Sequence, residues 1–167
     1  MAAENREALA RMEAYRPVPW DRIPDLGLYM DQVITFISRM YEPLYGEDVR
    51  GRLSAPMINN YVKGKLVPRP AGKKYSREQI ALLAMIVALK QVSSMEDIRR
   101  MLLIREDETV EHLYTDFCDR FSRAIRAVAL GEAVDCSGMT SPRDYAILAS
   151  ALCAGCAAAM RDASEDI

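Results

Sequence analysis

Residues 80–89 are apolar at every position. That run sets what the chain can fold into more firmly than any other segment. A membrane-spanning helix needs about 20 such residues, so the run reads as a buried helix of a soluble core. Just before it, Ser76-Arg77-Glu78-Gln79 has the form of a capping box, with Gln79 at the third helical position reaching back to the cap. The predicted helix, 77–90, is apolar nearly all round and should be the central core helix.

The other helices are predicted to be amphipathic. Met30, Val33, Ile34 and Ile37 fall at i, i+3, i+4 and i+7, one stripe of a helix that Pro43 and Gly46 should end. Ser94 caps a helix carrying Met95, Ile98, Met101 and Leu102 inward. Val110, Tyr114, Phe117, Phe121, Ala124 and Val128 alternate steps of four and three, the seam of a coiled-coil-like packing surface. Ser141-Pro142-Arg143-Asp144 starts a last helix rich in Ala and Gly, with Pro at its first position and an acid at its third. The Tyr114/Phe117/Phe121 seam should pack on that last helix or across a two-fold axis. The expected organisation is an N-terminal arm over 1–27, a unit over 28–104 and a C-terminal helical unit over 105–167. The arm holds a helix over 4–15, with Trp20 and Ile23 as anchors.

The middle unit carries the charge signal. The chain has a net charge of −2, yet residues 50–77 hold eight basic residues and no acid. The remainder holds 14 basic residues against all 24 acidic ones, so a basic island sits on an acidic protein. Inside it lies a short helix. Ser54 is its predicted N-cap, Pro56 fits the first turn, and Gly64 should stop it in the left-handed conformation. Leu53, Ile58 and Val62 face inward; Asn59, Asn60 and Lys63 face out, and Tyr61 suits either side. Residues 65–75 read as a two-stranded wing in which Leu66 and Val67 go out and Lys74 and Tyr75 return.

Helix, loop, short capped helix, basic wing and core helix is the order of a winged helix-turn-helix. Its short helix suits the major groove of duplex DNA. Asn side chains pair with adenine edges, and Lys and Arg neutralise phosphates. The candidate DNA contacts are Arg52, Ser54, Asn59, Asn60, Tyr61, Lys63, Lys65, Arg69, Lys73, Lys74 and Tyr75.

The run Met57-Ile58-Asn59-Asn60-Tyr61-Val62-Lys63-Gly64-Lys65-Leu66-Val67-Pro68 resembles the MerR-type signature, a short recognition helix ending in Tyr before a basic-Gly-Leu step into the wing. Lys73-Lys74-Tyr75-Ser76-Arg77-Glu78-Gln79-Ile80 resembles the return from the wing into the third helix, and Ser93-Ser94-Met95-Glu96-Asp97-Ile98 the capped fourth helix. Leu28-Tyr29-Met30-Asp31-Gln32-Val33 is similar to a bacterial family of uncharacterised MerR-like proteins. The resemblance spans about residues 20–104 and implies a MerR-like DNA-binding fold and a dimeric regulator. Asn59 and Asn60 occupy a stretch where that family usually carries an Arg.

Other chemistries find little in the sequence. His112 stands alone among acids on a helix, and there is no phosphate-binding loop or zinc-protease motif. No catalytic residue and no cofactor is expected. Cys153 and Cys156 form a C-x-x-C that could act as a thiol site; the preferred reading is that they replace Ala in a packing stripe. With no apolar leader at the N-terminus, the cysteines should be reduced thiols of a cytoplasmic protein. The expected fold is mainly α, with a MerR-like winged helix-turn-helix, a small two-stranded wing and a C-terminal helical unit. The expected function is a transcriptional regulator that binds duplex DNA as a homodimer away from any membrane. The alternative is a protein–protein interaction module on the same scaffold.

Overall fold

The computed structural model describes residues 9–104 and 107–164, with the side chains at 47, 48, 50 and 160–164 left aside. The fold is mainly helical. Helix α1 spans Met30–Tyr45, α2 Ala55–Lys63, α3 Arg77–Leu89, α4 Met95–Met101, α5 Val110–Leu130 and α6 Pro142–Ser164. A further helical stretch covers 9–14, and the first part of the helix expected over 4–15 lies outside the described residues.

Helix α3 is the centre, as its composition requires. Every residue from Gln79 to Leu89 is buried, and α1, α5 and α6 pack around it. Its capping box forms: the Ser76 hydroxyl accepts from the Gln79 amide, and the Ser76 N–H donates to Gln79 Oε1 at 2.7 Å. Ser94 likewise caps α4; Ile98, Met101 and Leu102 are buried as expected, but Met95, at the first helical position, is exposed. The Asp144 carboxylate accepts from the N–H groups of Thr140 and Ser141, both at 2.9 Å, closing the start of α6. Arg143 ties α6 to the end of α4, donating to the Met101 carbonyl at 2.6 Å and pairing with Glu108 at 2.6 Å.

The arm belongs to the same core. Met12, Tyr15 and Ile23 are buried, Trp20 packs against the cluster, and Tyr114 Oη donates to the Val18 carbonyl at 2.7 Å. The aromatic seam of α5 is therefore filled from within: Phe121 lies 6.3 Å, ring to ring, from both Tyr15 and Tyr41, and Trp20 lies 6.3 Å from Tyr114. Helices α5 and α6 pack along each other. On α6, Ala151, Ala154 and Ala158 face the core. A side chain at Gly155 would meet Met12 at 3.1 Å and Val128 at 3.2 Å. Cys153 and Cys156 are exposed on the other side, so they do not fill the packing stripe.

Several local expectations are corrected. Helix α1 runs through Pro43 to Tyr45, and Gly46 ends it at φ 54°. A proline inside a helix costs about 3 kcal/mol, but burying Leu44 returns about 1.5–3 kcal/mol, and the rings of Tyr41 and Tyr45 are buried beside it. Gly64 does not take the left-handed conformation; its φ is −75°, and Lys65 takes φ 57° instead. Ser54 precedes α2 without a side-chain capping bond.

The wing differs most. The described residues form no sheet, only two isolated antiparallel bridges, Leu28 with Tyr75 and Ala71 with Lys74. The reason lies in the amide donors. The N–H groups of Leu66 and Val67 are both spent on the Tyr61 carbonyl, at 2.9 and 3.3 Å. They cannot pair with a returning strand. Tyr75 bonds instead to Leu28 in both directions, at 2.8 and 3.0 Å.

Candidate nucleic-acid interface

Helix α2 has nine residues, short of the roughly 12–15 at which an isolated helix becomes marginally stable in water. Tertiary contacts hold it. Ile58 is fully buried and Tyr61 nearly so. At its C-terminal end the Arg99 guanidinium donates to the Gly64 carbonyl at 2.6 Å. The glycine there serves close approach, since a Cβ would lie 3.3 Å from that guanidinium and 3.1 Å from the Asn60 carbonyl oxygen. At the other end Lys90 Nζ donates to the Arg52 carbonyl at 3.1 Å. Burial, and then the charge of Arg52, lower the Lys90 pKa.

The opposite side of α2 is open. Pro56, Asn59, Asn60 and Lys63 are all exposed, and at about 100° per residue they share one arc of roughly 100°. The side chains of Asn59 and Asn60 make no hydrogen bond among the described residues, so their donors and acceptors remain available. Two grooves flank this ridge. One, about 450 Å³, runs between Asn59 and Val62 on one wall and Tyr29, Met30, Asp31 and Lys73 on the other. The second, about 560 Å³, separates Met57 and Asn60 from Ser94, Met95 and Arg99.

The loop after α2 adds charge without neutralising it. Lys65, Arg69, Lys73 and Lys74 are exposed, and like Lys63 none forms an ion pair among the described residues. Two are held in unusual backbone: Lys65 at φ 57° and Lys73 at φ 68°. The Lys74 ammonium lies 5.4 Å from the centre of the Tyr29 ring. Gln79 fixes this loop, its amide donating to the Pro68 carbonyl at 2.9 Å.

Not every predicted contact joins this face. Arg52 turns inward, its guanidinium 3.8 Å from the centre of the Tyr45 ring and its Nε buried without a hydrogen-bond partner among the described residues. Ser54 is half-buried. Tyr61 and Tyr75 bury their rings, and each edges one of the two grooves. Burial raises both phenols above their ordinary value, keeping them neutral donors. Of the other basic residues in the island, Arg77 is occupied by the fold, donating to the Ile23 carbonyl at 2.9 Å and facing Asp25 at 3.7 Å. The Arg50 side chain lies outside the described residues. Arg99, Lys90, Tyr29 and the Gln79–Pro68 bond escaped sequence reasoning. Only Gln79 carried a signal, and that signal pointed to helix capping.

Fold and face together define a mainly helical protein that holds a short polar helix as a ridge beside a basic turn. A family model described as a domain of unknown function, DUF1836, matches residues 18–117, more than half of the chain. The chain belongs to that family, and the match covers α1–α4, the ridge, its basic turn and the first part of α5. No curated protein and no solved structure gives a significant match. Among the described residues no helix is long and apolar enough to cross a membrane, and no group of three or more metal-ligating side chains comes together.

Proposed function

We propose that this protein is a cytoplasmic transcriptional regulator that binds duplex DNA, seating α2 in the major groove in the manner of a MerR-like winged helix-turn-helix. In this reading the turn over 70–75 stands in for the wing. One observation carries it: the exposed arc of Asn59, Asn60 and Lys63 sits beside exposed Lys65, Arg69, Lys73 and Lys74, and none of these cations forms an ion pair among the described residues. Asn amides suit adenine edges, and unpaired ammonium and guanidinium groups suit phosphates. As a dimer, the protein would set two such ridges about 34 Å apart, one turn of DNA.

A salt titration of binding to random duplex DNA tests the proposal. If about five phosphates are neutralised, the slope of log affinity against log salt is about −4.5. Reversing Lys73 and Lys74 to Glu should remove most binding and leave the thermal midpoint in place. Absence of binding by the wild type at low salt would instead favour a protein-interaction module.

A further inference from the structure

We propose that the groove between α1 and the turn over 70–75 binds a small ligand with a planar apolar body bearing one cationic and one anionic group. The zwitterion of an aromatic amino acid has this form. The groove, about 450 Å³, lies within the range of about 300–1,000 Å³ found for small-molecule sites. Tyr29, Val62 and Tyr75 give it apolar walls, and Asp31, Asn59 and Lys73 supply its polar groups. Such a lining, mostly apolar with a few convergent polar groups, is that of a ligand site.

Asp31 is the informative residue. It is exposed in the first turn of α1, a place that suits a carboxylate at the positive end of the helix dipole. Its side chain makes no hydrogen bond and no ion pair among the described residues, although Lys73 lines the same groove. Two opposite charges that share a groove without bridging leave room for a ligand that carries their complements. A ligand ammonium meets Asp31, a ligand carboxylate meets Lys73, and the Asn59 amide offers a donor and an acceptor. The ring lies against Tyr29 and Tyr75. The regulatory consequence rests on the DNA-binding reading: a ligand seated there covers Asn59 and Lys73, so ligand and duplex exclude each other.

The test uses the full chain, isotopically labelled, titrated with L-tryptophan and L-phenylalanine at millimolar concentrations. Phenethylamine and phenylpropionate, each with one charge, are the comparisons. The backbone amides of Asp31, Asn59 and Lys73 should shift and saturate with the zwitterions, and the singly charged compounds should bind at least tenfold more weakly. Asp31→Asn should erase the preference for the zwitterion over phenylpropionate, with the thermal midpoint lowered by no more than the few degrees that the lost charge at the helix N-terminus accounts for. Unsaturable or absent shifts with both amino acids would overturn the site, as would wild-type preference in Asp31→Asn. A labelled duplex is then added. Its release by the zwitterion supports exclusion, and simultaneous binding refutes it. If the unliganded protein binds no duplex at low salt, the DNA reading falls, and the ligand site still stands or falls on the amide shifts.

Discussion

Lys65 and Lys73 are the non-glycine residues with positive φ among those described, at 57° and 68°. An L-residue with a Cβ is crowded there by about 1–2 kcal/mol. Such strain persists where the surroundings over-determine it, often at functional sites. Here both strained residues are exposed cations flanking the ridge. Lys65→Gly should relieve the crowding and raise stability by up to about 1 kcal/mol in urea unfolding, after the added chain entropy of glycine is subtracted. If Lys65 meets a phosphate, the same variant should flatten the DNA salt slope by about 0.9. A gain in stability with a loss in salt dependence would separate the two roles of one side chain. Gly64 shows the converse: its φ is ordinary, and its missing side chain admits Arg99.

At the scale of elements, three serines looked alike in sequence and differ in structure. The hydroxyls of Ser76 and Ser94 accept from amides in the first turns of α3 and α4, at 3.4 and 3.2 Å. Ser54 makes no such bond before α2. Ser94→Ala should therefore cost about 1 kcal/mol, while Ser54→Ala should stay within about 0.5 kcal/mol. Urea midpoints of the two variants check this. A large loss at Ser54 would mean that α2 depends on its cap. The structure assigns the stability of α2 to Ile58, Tyr61, Lys90 and Arg99 instead. The cap motif was legible at all three sites, because it is written in four adjacent residues. Whether it is used depends on where the preceding loop aims the hydroxyl, and the loop is set by distant contacts.

The whole molecule responds to alkali through its aromatic interior. Burial pushes Tyr15, Tyr41 and Tyr114 above the ordinary phenol value, and Tyr45 to about 12. It also lifts the Cys118 thiol to about 12. These groups hold their protons more tightly folded than unfolded. Their burial therefore carries no ionisation penalty below about pH 8, and stability falls as pH rises, first through the unfolded value of the Cys118 thiol and then through those of the phenols. Phenolate absorbance and helical circular dichroism, followed together into alkali, check this. The buried set should appear in one cooperative step with loss of helix. Gradual titration of Tyr15, Tyr41, Tyr45 and Tyr114 without unfolding would contradict their packing.

The sequence by itself determined the helices, most of their caps, the buried centre at 80–89 and the basic island, because periodicity, capping and charge are properties of neighbouring residues. It also placed Asn59, Asn60 and Lys63 on the open side of α2, since helical spacing alone separates them from Ile58. Only the tertiary structure decided that Tyr75 pairs with Leu28, that the α5 seam closes on the arm, and that Arg52 folds inward while Arg99 secures Gly64. Each of those outcomes turned on a competition between groups far apart in the chain for one amide, one ring face or one carbonyl. Local spacing carries no record of which competitor arrives first.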